Sequence, residues 1–519
     1  MAHGALIGAQ DDDPPASVWS YDLPDLAATH RLARLLSEEL APGDLVGLSG
    51  ELGAGKTELA RALVRRITGD GSLEVPSPTF TLLQVYESAV GPVVHADFYR
   101  ISGAGELVEL GWDDLTERAI TLVEWPERAS DALAPDRLDI RLDLDPRSGA
   151  RHAVITGSGS FVPRLMRLRA FHELVQRTGW DGATRLPVQG DASTRAYERL
   201  VRPDGKTAIL MISPPRADGP PVRRGKPYSA IAKLAESVHA FVAVDRGLRA
   251  VGISAPRILG EELEAGLLLL EDFGNEPVVD QNGPIPERYL EAARLLVHLH
   301  GSPLPQVLPV TEGRDHVLPP YDLEALLIEV ELLTEWYVPH LIGHQLAGSV
   351  RAEFVNLWSD VLIEIVSGPT TWSLRDFHSP NLLWLADRDG IERVGVIDFQ
   401  DAALGHPAYD VVSLLQDARV TVPADLELKL VSAYVQERRR SHPDFDVGDF
   451  ARAYAILGAQ RATKILGIFA RLDRRDGKPQ YLRHLPRIEE YLLRDLAHPG
   501  LSRIKVWYEN HLPHLFHGS

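Results

Sequence analysis

The 519-residue sequence contains no cysteine, which excludes disulfide bonds and thiolate metal sites. It also contains no apolar run that approaches the ~20 residues needed for a helix to span a bilayer. The N-terminal segment MAHGALIGAQDDDPP lacks the basic region of a secretory signal. Together these absences favour a cytoplasmic protein.

Positive charge is also scarce, because the chain carries a formal net charge of −19 at pH 7. Residues 1–156 contain 13 Arg and Lys against 26 Asp and Glu, a net charge of −13. A domain that binds duplex nucleic acid or tRNA by itself normally presents a basic surface. We therefore expect no direct tRNA binding by the N-terminal part of the chain alone.

The segment GELGAGKTE begins at Gly50, and its first eight residues match the phosphate-binding pattern G-x-x-x-x-G-K-[ST]. It lies between a predicted strand at 45–48 and a predicted helix at 56–67, which is the context that the motif requires. Such a loop binds phosphate through backbone N–H groups at a helix N-terminus. The lysine is expected to reach the β/γ-phosphates of ATP and the threonine to ligate Mg²⁺. The predicted ATP-binding residues are Gly50, Glu51, Leu52, Gly53, Ala54, Gly55, Lys56 and Thr57.

Two carboxylates further along the chain complete the predicted metal site. Asp97 follows an apolar run in VVHADFYR, and Glu124 ends the predicted strand ITLVE. A P-loop ATPase uses acids of this kind to position the metal or to orient water. We therefore predict Thr57, Asp97 and Glu124 as the Mg²⁺ site, with Glu124 also catalytic. The alternatives are solvated carboxylates at the strand ends and, for His95, a structural role.

Five segments of the N-terminal part, which include the P-loop and both acids, resemble the TsaE family, the small ATPases of bacterial tRNA threonylcarbamoyladenosine synthesis. They are, in chain order, LSGELGAGKTELARAL, VPSPTFTLLQVYE, HADFYRI, ELGWDD and LVEWPERA, within about residues 20–156. The resemblance implies an ATPase whose protein partners are TsaD and TsaB, which fits the acidic composition. It also implies that Lys56 and Thr57 bind Mg-ATP and that Asp97 and Glu124 are acidic metal or hydrolysis residues. Trp125 would lie near the nucleotide, and Ser77, Pro78 and Thr79 match a switch-like loop.

A second chemical site is indicated by LRDFHSPNLLWLADRDGIERVGVIDFQDA, which begins at Leu374. Asp376 and Asn381 have the D-x-x-x-x-N spacing of a kinase catalytic loop. Asp376 precedes a predicted strand, where it is placed to accept a proton from a substrate hydroxyl. We predict Asp376 as the catalytic base and Asn381 and Asp398 as Mg²⁺ ligands. Solvated loop acids are the alternative.

The position of Asp398 follows from a predicted hairpin. Residues 382–385 and 394–397 have the pattern of two strands, and Asp389-Gly390 between them is a strong signal for a two-residue turn. With that turn at the centre, residue 388 pairs with residue 391. The same register places Asn381 directly opposite Asp398, so that both side chains would reach one Mg²⁺.

This segment resembles the aminoglycoside-phosphotransferase-like kinases. LLLLEDFG at 267–274 is hinge-like and makes Glu271 a predicted ATP-binding residue, and Asp410 in HPAYDVVSL matches a residue that braces the catalytic loop. Four segments within about residues 161–500 resemble the AmgK-like kinases of cell-wall amino sugars: QGDASTRAYERL, AILMISPP, LRDFHSPNL and VIDFQDAALGHPAYDVVSLLQDAR. That resemblance implies ATP-dependent phosphorylation of the anomeric hydroxyl of N-acetylmuramate or N-acetylglucosamine, in peptidoglycan recycling.

Two positions depart from the kinase pattern. Kinases place at the end of their third strand a lysine that pairs the α/β-phosphates, but here AILM ends in Met211. Arg195 is the candidate substitute cation at ATP. Leu374 stands where many kinases have histidine, while His378 is an additional histidine that either contacts the sugar or serves the structure.

The chain is long enough to predict more than one domain, because single cores rarely grow beyond ~250–300 residues. We predict a disordered N-terminus at 1–20, an α/β P-loop NTPase domain at 21–157 and a kinase-like phosphotransferase domain at 161–519, with GSGS at 157–160 as the linker. The last domain is predicted to be α+β, with a small sheet lobe followed by a large helical lobe.

The leading hypothesis is therefore a bifunctional enzyme, an ATPase for tRNA modification joined to an amino-sugar kinase. A second hypothesis keeps the ATPase but gives the kinase another small alcohol, such as an aminoglycoside or a choline-like amine. A third makes the C-terminal domain a catalytically inert interaction module, and Met211 is the observation behind it.

Overall fold

The computed structural model describes residues 17–188, 195–215 and 219–516. The chain divides into two compact units, and the division falls between Thr184 and Arg185. Residues 1–16 of the predicted disordered N-terminus and residues 189–194 of the motif QGDASTRAYERL lie outside the described residues. Among the helices that are described, none has both the length and the apolar character needed to cross a membrane.

The first unit is built on one mixed sheet with the strand order β1-β7-β6-β2-β5-β4-β3. The strands are β1 (Ser17–Leu23), β2 (Leu45–Ser49), β3 (Leu83–Tyr86), β4 (Val93–Asp97), β5 (Ile120–Glu124), β6 (Leu138–Leu144) and β7 (Arg151–Gly157). The helices are α1 (Leu26–Ser37), α2 (Lys56–Thr68), α3 (Ala104–Glu109), α4 (Trp112–Thr116) and α5 (Phe161–Thr178). Strands β6, β2, β5 and β4 run parallel, so the carboxyl ends of β2, β4 and β5 meet at one edge. This arrangement confirms the predicted α/β class.

Residues 17–20 correct the prediction of disorder over residues 1–20. They belong to β1, which pairs antiparallel with β7 along its whole length. Trp19, Tyr21 and Leu23 are buried on one face of this strand, so a short apolar alternation is enough to order it. The acidic and proline-containing residues just before β1 obscure that alternation in the sequence.

The first unit also extends beyond the predicted boundary at residue 157, because α5 packs against β1 and β7. Arg164 of α5 donates to Asp44 Oδ1 at 2.9 Å. The GSGS segment is a tight connection rather than a linker: a Cβ on Gly157 would lie 2.8 Å from the backbone oxygen of Phe161. Glycine therefore permits the close approach that returns the chain onto its own sheet.

The second unit begins with a sheet of strand order β13-β14-β10-β9-β8, followed by a helical lobe. Its strands are β8 (Thr184–Val188), β9 (Ala196–Val201), β10 (Thr207–Ile212), β11 (Pro221–Arg223), β12 (Lys226–Pro227), β13 (Ile258–Glu262), β14 (Leu267–Glu271), β15 (Val279–Asp280), β16 (Gly283–Pro284), β17 (Val307–Thr311), β18 (Arg314–Val317), β19 (Thr371–Ser373), β20 (Leu382–Trp384), β21 (Val394–Val396) and β22 (Ala403–Gly405). Its helices are α6 (Tyr228–Ala232), α7 (Val238–Ala250), α8 (Pro286–Gly301), α9 (Leu323–Leu332), α10 (Gly348–Val366), α11 (Ala408–Leu415), α12 (Ala424–Ser441), α13 (Val447–Asp476), α14 (Leu485–Leu496) and α15 (Ser502–His511).

One continuous apolar core runs through this unit and joins its sheet to its helices. A π-helix at Leu333–Ile342 continues α9, and the short ladders β19–β22 and β20–β21 lie beside the helices. The connection from β19 to β20 contains the predicted catalytic loop. The small sheet followed by a helical lobe confirms the predicted kinase-like α+β class.

Candidate active sites

The loop between β2 and α2 depends on glycine. Gly50, Gly53 and Gly55 have φ values of 131°, 84° and 106°, which L side chains rarely adopt. A Cβ on Gly50 would overlap the backbone oxygen of Leu142. A glycine loop that ends at a helix N-terminus is an arrangement that binds phosphate, because the first N–H groups of the helix have no partners within it.

The side chains of Lys56 and Trp125 lie together at this loop. Lys56 Nζ donates to the backbone oxygens of Gly50 at 2.8 Å and Glu51 at 2.9 Å. The same ammonium lies 3.7 Å from the centroid of the Trp125 ring, within cation–π range. Burial lowers the pKa of Lys56, and nearby carboxylates, chiefly that of Glu124, oppose this effect. The fold thus brings Lys56 and Trp125 into contact although they are distant in sequence.

A chain of hydrogen bonds connects the P-loop to β4 and β5. Thr57 Oγ1 donates to Glu124 Oε2 at 2.9 Å, and Glu124 Oε1 lies 3.0 Å from His95 Nε2. Glu124 and His95 are 3% and 0% exposed. Within the described part of the chain, His95 Nδ1 has no hydrogen-bond partner. His95 therefore fixes the carboxylate of Glu124 toward Thr57, which is a role in positioning that the sequence did not reveal.

The switch-like loop, residues 77–79, is hydrogen-bonded directly to Asp97. Asp97 Oδ2 accepts hydrogen bonds from Ser77 Oγ at 2.8 Å and Thr79 Oγ1 at 2.7 Å, while Oδ1 accepts one from the backbone of Tyr99 at 2.9 Å. Asp97 is also the strand partner of Glu124 on β5, so both acids lie at the same edge of the sheet. Carboxylate and hydroxyl oxygens are the hard ligands that Mg²⁺ prefers, so this donor set fits a Mg-nucleotide.

The second site lies in the connection between β19 and β20, and Asp410 of α11 braces it. This fully buried carboxylate accepts hydrogen bonds from the backbone N–H groups of Leu374 at 2.7 Å and Arg375 at 2.8 Å. It also accepts one from Ser373 Oγ at 3.0 Å. Three bonds from consecutive residues fix the backbone immediately before Asp376.

Asp376, His378 and Asn381 are grouped within this loop. Asn381 Nδ2 donates to the backbone oxygen of Asp376 at 2.9 Å and lies 3.4 Å from His378 Nε2. Burial opposes ionisation of Asp376, but Lys464, His378 and Arg375 outweigh it, so the pKa of this carboxyl falls below its usual value. A carboxylate that is ionised at neutral pH is what a general base requires. Burial also lowers the pKa of His378.

The register of the β20–β21 hairpin corrects the prediction for Asp398. Leu382 pairs with Val396, and the N–H of Ile397 donates to the backbone oxygen of Asn381 at 3.0 Å. Asn381 therefore faces Ile397, and the prediction that it faces Asp398 directly is wrong by one residue. Because side chains alternate along a strand, a slip of one residue changes the face on which each lies.

The reason for the slip is the connection between the two strands. The prediction placed a two-residue turn at Asp389-Gly390, whereas a 3₁₀ helix occupies Gly390–Arg393. Leu385 N donates to Arg393 O at 2.8 Å and Glu392 N to Asp389 O at 3.1 Å, so the connection contains an odd number of residues. The local Asp-Gly preference is overridden by this longer hydrogen-bonded connection.

Asp398 nevertheless lies next to the Asn381–Ile397 pair, at the open end of the hairpin. Its φ of 58° places it in the left-handed region, which costs a non-glycine residue about 1–3 kcal/mol and is concentrated at functional sites. Its Oδ1 accepts a hydrogen bond from Gln400 Nε2 at 2.9 Å and lies 3.5 Å from Arg195 Nη1. Arg195 thus contacts a predicted metal ligand. An amide and a carboxylate oxygen here fit Mg²⁺ brought by a nucleotide.

Two further positions bear on the predicted nucleotide site of the kinase-like unit, Glu271 and Met211, and both are engaged in other contacts in this structure. Glu271 accepts hydrogen bonds from Arg388 Nη2 at 2.7 Å and from the backbone of Arg257 at 3.1 Å. Met211 is fully buried in the apolar core. The strand therefore supplies no cation at that position, and ATP binding by Glu271 stays a prediction.

The sequence matches two family models, each over one of these sites. The model of the threonylcarbamoyl adenosine biosynthesis protein TsaE matches residues 23–153, and that of the phosphotransferase enzyme family matches residues 184–447. The chain belongs to both families. It is a fusion of a TsaE-family unit, which contains the P-loop, and a phosphotransferase-family unit, which contains the catalytic loop.

Individual relatives cover the two units separately. An N-acetylmuramate/N-acetylglucosamine kinase of Caulobacter vibrioides is 37% identical over 347 residues, which are 64% of this chain and 94% of that protein. A kinase of the same name from Pseudomonas aeruginosa is 31% identical and covers 62% of this chain and 87% of its own. The TsaE protein of Rickettsia felis is 35% identical over 173 residues, which are 33% of this chain and 94% of that protein.

Proposed function

We propose that this chain has two ATP-dependent activities. The TsaE-family unit hydrolyses ATP in support of tRNA N6-threonylcarbamoyladenosine synthesis, with TsaD- and TsaB-like proteins as its partners. The phosphotransferase-family unit phosphorylates the anomeric hydroxyl of N-acetylmuramate or N-acetylglucosamine, a step of peptidoglycan recycling. One observation supports this most strongly: each unit has its own cluster of predicted site residues. In the first unit the cluster surrounds Lys56, and in the second it surrounds Asp376.

In the TsaE-family unit, the proposed roles follow from the contacts at the P-loop. Lys56 exchanges its backbone carbonyl partners for nucleotide phosphate, and Trp125 covers that ammonium. Thr57, Asp97 and Glu124 would hold Mg²⁺, which when bound neutralises charge on the phosphates. Glu124 has the further role of orienting water, because His95 and Thr57 fix both its oxygens.

In the phosphotransferase-family unit, Asp376 orients the sugar hydroxyl and accepts its proton. The sugar oxygen then bonds to the γ-phosphorus of ATP, and the bond from that phosphorus to the β–γ bridging oxygen breaks, which releases ADP. Asn381 and Asp398 would hold Mg²⁺ at the phosphates, while Arg195 supplies a cation in place of the strand lysine. Glu271 stays a proposed contact of the hinge with the nucleotide.

Phosphorylation of a panel of acceptors by the purified full-length protein tests this proposal. With Mg-ATP, we expect transfer to N-acetylmuramate and N-acetylglucosamine, and none to an aminoglycoside or to choline. Preference for an aminoglycoside or choline would favour the kinase of another small alcohol. Transfer to no acceptor would favour an inert module, the reading that the buried Met211 supports.

The TsaE-family unit alone is expected to bind tRNA weakly. Residues 1–156 carry a net charge of −13, and electrostatic contacts with phosphate supply much of the affinity of a protein for nucleic acid. Fluorescence anisotropy with labelled tRNA at low and at physiological salt measures this directly. Tight binding that persists at physiological salt would contradict the proposal that protein partners bring the TsaE-family unit to tRNA.

A further inference from the structure

A buried carboxylate accepts hydrogen bonds from four side chains beside the catalytic loop of the phosphotransferase-family unit. Glu329 of α9 is 1% exposed. Its Oε1 accepts hydrogen bonds from Arg375 Nη2 and Lys464 Nζ, both at 2.7 Å. Its Oε2 accepts hydrogen bonds from Gln460 Nε2 at 3.1 Å and from the hydroxyl of Tyr321. Both oxygens are therefore occupied, and two cations share one of them.

Arg375 connects this carboxylate to the catalytic loop. It directly precedes Asp376, and its guanidinium also donates to the backbone oxygens of Ala232 at 2.9 Å and Lys233 at 3.1 Å, at the end of α6. Its own N–H donates to Asp410 Oδ1 at 2.8 Å. Arg375 has a φ of 67°, a conformation that persists only where the surroundings hold it. The loop is therefore fixed at this residue from α6, α9 and α11.

Lys464 of α13 adds a second cation to the cluster. Its side chain is 13% exposed, and its ammonium lies 3.4 Å from the hydroxyl of Tyr409. Burial would raise the pKa of Glu329, but Lys464 and Arg375 outweigh it and hold that pKa below the usual value. The carboxylate is thus ionised and paired, so its removal would leave two cations unpaired in the interior.

We infer that Glu329 is a positioning residue for phosphoryl transfer: it fixes Arg375, and through it the carboxylate of Asp376, while Lys464 holds Glu329 in place. The inference rests on the kinase function proposed above. Reacting atoms must approach to about 3–3.5 Å, and a displacement of about 1 Å slows a reaction about 10²-fold. Glu329 itself touches neither the proposed metal ligands nor Asp376 in the described contacts.

This arrangement supplies from within the chain an anion that other kinases obtain by modification. Protein kinases order their activation loops by pairing arginines with phosphorylated Thr or Tyr. Here the anion for Arg375 is the side chain of α9, sealed from solvent. The phosphotransferase-family unit is therefore expected to be active as synthesised, and phosphatase treatment should leave its rate unchanged.

The test compares Glu329→Gln and Lys464→Met with a matched control, Glu427→Gln. Glu427 of α12 is also buried and accepts hydrogen bonds from Tyr454 and Arg494, at 2.8 Å and 2.9 Å. The described contacts of Glu427 do not include the catalytic loop. Full-length variants are assayed for phosphorylation of N-acetylmuramate, with thermal unfolding measured in parallel.

We expect Glu329→Gln to lower kcat about 10²-fold with the KM for ATP little changed. Lys464→Met should lower kcat less, and Lys464→Arg should restore most of it. Glu427→Gln should lose comparable thermal stability but keep its kcat. If Glu329→Gln does not fold, the two Lys464 variants decide the question through their pH–rate profiles, because Lys464 also lowers the pKa of Asp376 directly. A loss of kcat in Lys464→Met that persists at pH values where Asp376 is fully ionised supports the positioning role, and a loss that disappears there contradicts it.

Three results would overturn the inference in distinguishable ways. A wild-type protein that phosphorylates no acceptor refutes the proposed function and the positioning role with it. An active wild type whose Glu329→Gln and Lys464→Met variants are no slower than Glu427→Gln refutes the positioning role alone. Loss of wild-type activity on phosphatase treatment would show that a modification, not Glu329, holds the loop.

Discussion

Replacement of Asp376 by Asn is expected to reduce sugar phosphorylation about 10²–10⁴-fold, the usual contribution of a positioned general base. Asn keeps the shape of the side chain but cannot accept the proton of the sugar hydroxyl. The brace from Asp410 bonds to the backbone before Asp376 and is untouched by this change. Binding of Mg-ATP should therefore be unchanged, which equilibrium titration with nucleotide can show in the same preparation.

Asp398→Asn is the matched variant, and it is expected to fail in a different way. It removes a charged oxygen ligand of a hard cation, so the dependence on Mg²⁺ concentration should worsen along with turnover. Turnover of both variants with N-acetylmuramate is measured across a range of Mg²⁺ concentrations. Near wild-type turnover by Asp376→Asn would contradict the assigned roles. Rescue of Asp376→Asn by Mg²⁺ that exceeds the rescue of Asp398→Asn would contradict them equally.

Lys56→Ala is expected to abolish ATP binding by the TsaE-family unit and to leave sugar phosphorylation intact. The ammonium is held at the P-loop by two backbone oxygens, so its loss removes the charge that faces the phosphates. The second site is built from residues of a separate compact unit. Lys206→Ala, which removes an exposed lysine, is the control for loss of a lysine as such.

ATP hydrolysis without sugar and sugar phosphorylation are measured separately on the two lysine variants. Retention of hydrolysis by Lys56→Ala would show that the P-loop is not the site of this ATPase. Loss of both activities in a folded Lys56→Ala protein would show that the two sites are coupled.

The P-loop and the two acids beside it could be located from the sequence because the P-loop motif is contiguous and each acid directly follows an apolar run that predicts a strand. Glycines at positions of positive φ, a lysine, and acids after apolar runs all leave a pattern in one short segment. The parallel strands β2, β5 and β4 then bring Asp97 and Glu124 together by register. The bond between His95 and Glu124 depends on side-chain packing across two strands, which no spacing in the sequence encodes.

The hairpin register was not predictable from its turn signal. Asp-Gly favours a two-residue turn in isolation, but here the connection closes through the bond from Leu385 to Arg393. The left-handed conformation of Asp398 likewise comes from tertiary structure. A rule for local turns cannot anticipate either feature, because both are decided by how the strand ends pack.

The cluster around Glu329 was likewise not predictable from the sequence, because tertiary structure brings its members together. In LLIEVELL this glutamate stands within an apolar helical stretch, which by itself indicates only a buried helix. Its partners Arg375 and Lys464 are distant along the chain. The same helix carries Glu324 and Glu331, so the sequence does not show which glutamate is buried and therefore paired.

Phosphorus NMR of the full-length protein with Mg-ATP and N-acetylmuramate tests the account of two independent activities most directly. We expect the second unit to form a sugar phosphate whose phosphorus couples to the anomeric proton, and the first unit to form inorganic phosphate slowly. Lys56→Ala should remove the inorganic phosphate alone, and Asp376→Asn the sugar phosphate alone. A phosphate on another hydroxyl, or a single variant that removes both signals, would contradict it.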